Sequence, residues 1–141
     1  MLIQDGSTRL EISILEVVPA GRPDVGDVRL SVALAAGTFR GRNDSVWVTR
    51  SEWHRFLADL GNLERRRQGQ ARLTSMSPAN LELCVHATDR AGHMAVEGFV
   101  GDYVLGGRGT QEARVPFVLT LDPALLRATL DELDALISSG Q

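Results

Sequence analysis

The sequence has no lysine, only one cysteine and no long apolar run, and each absence excludes a class of protein. All 15 basic residues are arginine, which indicates a GC-rich bacterial genome more than a need for the fork geometry of arginine. The single Cys84 excludes a disulfide within the chain and is typical of a reducing cytoplasm. No run reaches the roughly 20 apolar residues of a membrane span, and residues 1–6 lack a basic leader, so we expect a cytoplasmic protein.

The charge balance is mildly acidic. The 18 acidic residues exceed the 15 arginines and give a net charge of −3. Non-specific nucleic-acid binding needs a basic surface that displaces counterions, so this balance predicts no nucleic-acid partner. A length of 141 residues with 43% hydrophobic residues fits one globular domain, 1–141, that can bury its own core.

Alternating apolar residues predict a series of β-strands. Residues 8–18 and 27–36 form the first two, with a bulge predicted near Leu15, where the apolar parity shifts. Residues 41–44 carry turn chemistry. Four more alternating stretches lie at 70–76, 81–88, 93–100 and 115–121. Because parallel strands need long crossovers, this helix-free half predicts antiparallel pairing.

Two amphipathic helices are predicted at about 49–67 and 122–138. Thr49 and Glu52 fit a capping box at the start of the first helix, and Asp122 with Pro123 fits the start of the second. The buried stripe of the second helix is predicted to hold Leu126, Leu130, Leu133 and Ile137, and residues 138–141 are predicted to fray. The fold class is therefore α+β: a mainly antiparallel twisted sheet or a two-layer β-sandwich with both helices packed on it.

A predicted hairpin carries the most interesting polar residues. If residues 89–92 form its loop, Cys84 lies opposite Glu97 and His86 opposite Ala95, so one face holds Cys84, His86, His93 and Glu97. Such a set could bind zinc or supply a general acid. No C-x-x-C or H-x-x-x-H spacing is present, so an ordinary solvated sheet face is the favoured interpretation. We therefore predict no metal ligands, no cofactor and no catalytic residue.

The remaining motifs have simple structural interpretations. Glycines at 106, 107 and 109 precede a strand rather than a helix, so they predict a mobile loop and no phosphate cradle. Pro116 lacks an amide donor, which places its strand at a sheet edge or at a bulge. Trp47 and Trp53 flank the first helix start and are interpreted as core or staple residues, with a binding hot spot as the alternative.

The spacing of apolar residues and helix caps also resembles a known family. The residues that carry it run through most of the chain, from 37–39 and 46–49 through Phe56 and Leu60 to 115–117 and Leu133. Over about residues 8–137 this layout is similar to the WapI-like immunity proteins and related bacterial domains. The resemblance implies a small cytoplasmic protein that protects its producer by binding a toxin domain.

Three functional hypotheses follow. The first is a non-enzymatic protein-binding module, for example an immunity-type protein that occludes a toxin domain. Its surface contacts are predicted at Glu82, His86, His93 and Glu97. The alternatives are a small enzyme or metal-binding protein that uses Cys84 with His86, His93 and Glu97, and a structural or self-associating subunit. The partner's identity and the oligomeric state stay open at this point.

Overall fold

The computed structural model describes residues 1–140, with side chains to residue 138, and within that range shows two antiparallel sheets and two helices. Sheet 1 contains four strands and is followed by helix α1: β1 (Leu2–Asp5), β2 (Thr8–Val17), β3 (Val28–Ala36), β4 (Phe39–Val48) and α1 (Arg50–Arg66). Sheet 2 repeats this order: β5 (Gln70–Thr74), β6 (Leu81–Ala87), β7 (Met94–Gly106), β8 (Gly109–Leu121) and α2 (Pro123–Gly140). The predicted α+β class and antiparallel pairing are confirmed.

Sheet 1 confirms two predicted strands and corrects one predicted turn. The bulge expected near Leu15 is present, because the β2–β3 register shifts between Ile14 and Glu16. The turn predicted at residues 41–44 is wrong. The chain reverses earlier, in a two-residue loop where Gly37 has a φ of 62°, and residues 41–43 pair with β3. Backbone pairing with β3 outweighs the local turn preference of residues 41–43, and the register shifts just after them, between Asn43 and Val46.

The helix boundaries follow the predicted caps closely. The Thr49 hydroxyl accepts a hydrogen bond from the Glu52 amide at 3.2 Å, and Asp122 accepts one from the Ala124 amide at 2.9 Å. The Glu52 carboxylate accepts from Arg55 at 2.6 Å, where the capping box predicted a return bond to the Thr49 backbone. Helix α2 continues to Gly140, so residues 138–140 of the predicted frayed end are helical, and residue 141 lies outside the described residues.

A single core joins the inner faces of both sheets to both helices. Helix α1 buries Trp53, Phe56, Leu60 and Leu63, and helix α2 buries Leu126, Leu130 and Leu133, as predicted. Trp53 is only 2% exposed, so it belongs to the core and the hot-spot alternative is wrong for it. Sheets 1 and 2 touch through β4 with β7 and through β1 with β8, and their outer faces point away from the shared core. No helix among the described residues is long and apolar enough to cross a membrane.

Removing the α1 cap tests its contribution to stability. The substitution Thr49→Ala deletes the acceptor of the Glu52 amide, and we expect the free energy of unfolding to fall by about 1 kcal/mol. Thr49→Ser keeps a hydroxyl and should stay near wild type. Urea denaturation followed by circular dichroism measures both. Equal stability of the alanine and serine variants would contradict a role for the cap.

Candidate functional site

The β6–β7 hairpin has the register that its sequence predicted. Cys84 pairs with Glu97 and His86 pairs with Ala95. The Thr88 amide donates to the His93 carbonyl at 2.7 Å and closes the loop. Because paired residues share a face, the outer face of sheet 2 holds Glu82, His86 and Glu97. Three of the four predicted contact residues therefore lie together.

The partners of these side chains differ. Glu82 is neutralised by Arg72, with 2.6 Å between carboxylate oxygen and guanidinium nitrogen. His86 Nε2 and a carboxylate oxygen of Glu97 are 3.6 Å apart, too far for a strong hydrogen bond. His93 is held in the hairpin loop by the Asp89 carboxylate, 2.6 Å from its Nδ1, so it does not join the others.

His93 in the hairpin loop lowers the pKa of its neighbour Asp89. The hydrogen bond from His93, together with backbone amides, lowers the pKa of Asp89. The folded hairpin therefore favours the ionised carboxylate. Its contribution to stability is present at neutral pH and is lost as the pH falls through the ordinary pKa of aspartate towards the lowered value. The His93–Asp89 pair therefore stabilises the hairpin loop.

The hairpin face is poorly arranged for metal or acid–base chemistry. The Cys84 side chain is buried, and this burial raises the pKa of its thiol, which disfavours the thiolate that binds metals. Its sulfur lies 3.8 Å from the Gln70 side-chain oxygen. Within the part of the chain that the structure describes, no group of three or more His, Cys, Asp and Glu is placed to hold a metal ion.

Apolar side chains line the same outer face along the β7–β8 pair, and sequence reasoning missed them as a site. We call this set the apolar stripe: Phe99, Tyr103, Leu105, Pro116 and Val118. The pairing runs without a shift from Met94 with Leu121 to Gly106 with Gly109, so alternate residues stay on one side. Leu105 is 89% exposed and Val118 is 68% exposed. Exposed apolar side chains that line up in this way are typical of an interaction surface.

Part of the stripe lies on a ribbon that projects from sheet 2. Strand β6 pairs with β7 only as far as Val100, and six further residue pairs of β7 and β8 continue alone. At about 3.4 Å per residue this ribbon, residues 101–114, reaches about 20 Å beyond the sheet. The loop predicted at 106–109 is shorter than expected, because Gly106 pairs with Gly109 across a two-residue turn.

Two buried asparagines hold the base of the ribbon. Asn43 of β4 donates to the Gly101 carbonyl at 2.9 Å. The side-chain amide of Asn80 donates to the Asp102 carboxylate at 3.3 Å, and the backbone carbonyl of Asn80 accepts from the Gly101 amide at 2.9 Å. Both asparagines are buried. These bonds fix the direction of the ribbon from sheet 1 and from the loop before β6.

The charges around the apolar stripe are nearly balanced. Arg114 stacks over the Phe99 ring, 4.1 Å from its centroid, and also contacts Glu112. Three glutamates and two arginines lie on this face, which leaves one net negative charge: Glu82, Glu97, Glu112, Arg72 and Arg114. Each arginine pairs with one glutamate. Glu97 has only His86 beside it, so its carboxylate is the charge left for a partner.

The alternation of residues along β7 and β8 already indicated the apolar stripe. Phe99 is out of phase with the buried Val96 and Val100, so it falls on the polar face. Val118 is likewise out of phase with Phe117 and Leu119. The edge position predicted by Pro116 is confirmed, because β8 is the outermost strand of sheet 2.

A comparison with protein families gives one result that covers almost the whole chain. The family described as the immunity protein WapI-like family matches residues 1–139. No curated protein and no solved structure matches the chain. The chain belongs to the WapI-like immunity protein family.

Proposed function

We propose that this protein binds a toxin domain through the outer face of sheet 2 and neutralises it by covering its surface. The observation that carries the proposal is the apolar stripe, where Val118 in sheet 2 and Tyr103 and Leu105 on the ribbon are exposed on one side of the β7–β8 pair. Membership of an immunity protein family supports a toxin as the partner. We place the protein in the cytoplasm, in keeping with its single cysteine.

The ribbon suits this role because it presents its side chains in a fixed geometry. Backbone pairing along residues 101–114 and the asparagine bonds at the base reduce the ordering cost of binding. Aromatic and large aliphatic side chains that are rigid before binding make efficient anchors. The ribbon is two strands wide, so it can enter a cleft on the partner as well as lie on a flat surface.

Charge gives the interface its orientation. The Glu97 carboxylate lies between Cys84 and Val118 in the cross-strand row, beside the apolar stripe. A basic group of the toxin placed opposite Glu97 would find a carboxylate that lacks an arginine partner. Of the four contact residues predicted from sequence, Glu97 and His86 are the ones we assign to the interface. Glu82 is already paired with Arg72, and His93 with Asp89.

The test titrates a candidate toxin of the producing cell with the purified chain, and the products of the neighbouring genes are the first candidates. We expect toxin activity to fall linearly and to reach zero at one equivalent, because occlusion uses one chain for each toxin. A 1:1 complex should appear in sedimentation velocity. Inactivation of many equivalents by one chain would instead indicate an enzyme. A dimer that leaves the toxin active would indicate a self-associating subunit, and both outcomes contradict the proposal.

A further inference from the structure

The outer face of sheet 1 carries a second surface, which is separate from the apolar stripe. A shallow groove of about 820 Å³ runs along β3 between β2 and β4. Its floor is formed by Ala33 and Ala35, whose small side chains leave the groove open. In the cross-strand rows, Ala35 lies between Arg9 and Arg40, and Ala33 lies between Glu11 and Arg42. We call this surface the basic groove.

The three arginines of the basic groove are not equally neutralised. Arg42 pairs with Asp44 at 3.0 Å, and hydrogen bonds from Ser31 and Arg42 lower the pKa of that carboxyl, so it stays ionised. A guanidinium nitrogen of Arg9 lies 3.6 Å from a carboxylate oxygen of Glu11. Arg40 is exposed and has no ion-pair partner among the described residues. The lining holds three arginines and one glutamate, and Asp44 offsets Arg42, so the groove keeps one positive charge in excess.

We infer that the basic groove binds an extended acidic segment of a protein. The positive charge is local, because the chain as a whole carries −3. Arg9 and Arg40 start from strands on either side of β3, about 10 Å apart, so they can hold different carboxylates along one chain. Nucleic acid fits less well, because the groove lining has no aromatic side chain on which a base could stack. This inference is independent of toxin binding through sheet 2.

The experiment measures fluorescence anisotropy of a labelled short polyglutamate peptide with the full chain at low salt. We expect saturable binding that disappears at high salt, since charge pairs on a surface are screened. The double variant Arg9→Gln/Arg40→Gln should weaken binding by about tenfold. Arg55→Gln/Arg65→Gln on helix α1 removes the same charge elsewhere and should change binding by less than about twofold.

Several outcomes would overturn the inference. One is the absence of saturable peptide binding to the wild-type chain at low salt. Another is an equal loss in both double variants, which would indicate attraction by overall charge alone. Tighter binding of a single-stranded RNA of equal length would replace the acidic protein segment with a nucleic acid. Circular dichroism controls for folding, and all four arginines have exposed side chains.

Discussion

The double substitution Tyr103→Ser/Leu105→Ser is expected to weaken toxin binding by two to three orders of magnitude. Each side chain is a large apolar anchor on the ribbon, and removal of such an anchor costs about 2 kcal/mol of binding energy. Two anchors together correspond to about a thousandfold loss of affinity. Because both side chains are exposed, the free energy of unfolding should change little. Isothermal titration calorimetry with the toxin measures the affinity.

The control replaces two exposed apolar residues elsewhere. Leu15 on β2 and Leu125 on α2 are 45% and 47% exposed, and neither lies in sheet 2. The variant Leu15→Ser/Leu125→Ser should bind the toxin like the wild type. If the ribbon variant also binds at full affinity, the toxin contacts another surface. If both variants lose affinity equally, the loss reflects general apolarity and not the apolar stripe.

The substitution Gly98→Ala is expected to lower the free energy of unfolding by about 3–5 kcal/mol, which is a large part of the usual stability of a domain. A Cβ atom at this position would lie 1.8 Å from the carbonyl oxygen of Glu82, and the residue has a φ of 155°. The close contact involves the backbone of β6 and the positive φ belongs to β7, and these are the two central strands of sheet 2. Neither strand can move without breaking the ladder that they share.

A glycine at the ribbon tip supplies the control. Around Gly107 an added Cβ atom meets nothing within 4 Å, and this residue has no positive φ. Gly107→Ala should therefore leave stability within about 0.5 kcal/mol of wild type. Guanidinium denaturation compares the midpoints of both variants. A stable Gly98→Ala variant would show that sheet 2 can widen at its centre, and the packing described above would then be wrong.

The parts of this fold that depend only on neighbouring residues along the chain could be predicted from the sequence. Thr49 and Asp122 marked helix starts to within one residue, because a cap needs only its own side chain and the amides that follow. The β6–β7 register followed from loop length and alternation, which placed Cys84 opposite Glu97. These rules act over a few residues, so the sequence contains all that they require.

Strand β4 and the ribbon show where local rules failed. Residues 41–44 favour a turn by composition, and they become part of a strand because residues 41–43 pair with β3. The polar residues of the ribbon give no strong alternation, yet 13 residues of β7 pair with β8 without a break. Pairing between strands is a tertiary property, which a single segment cannot reveal.

The candidate site divides in the same way. The sequence alone placed Cys84, His86 and Glu97 on one face, assigned the α+β class and excluded a disulfide within the chain. It also held the parity that puts Phe99 and Val118 outside the core. Only the tertiary structure decided that the apolar stripe continues onto a projecting ribbon, that His93 is engaged by Asp89, and that arginines from separate strands border one groove. Exposure and proximity between distant segments depend on how the sheets pack, and that packing is a property of the whole chain.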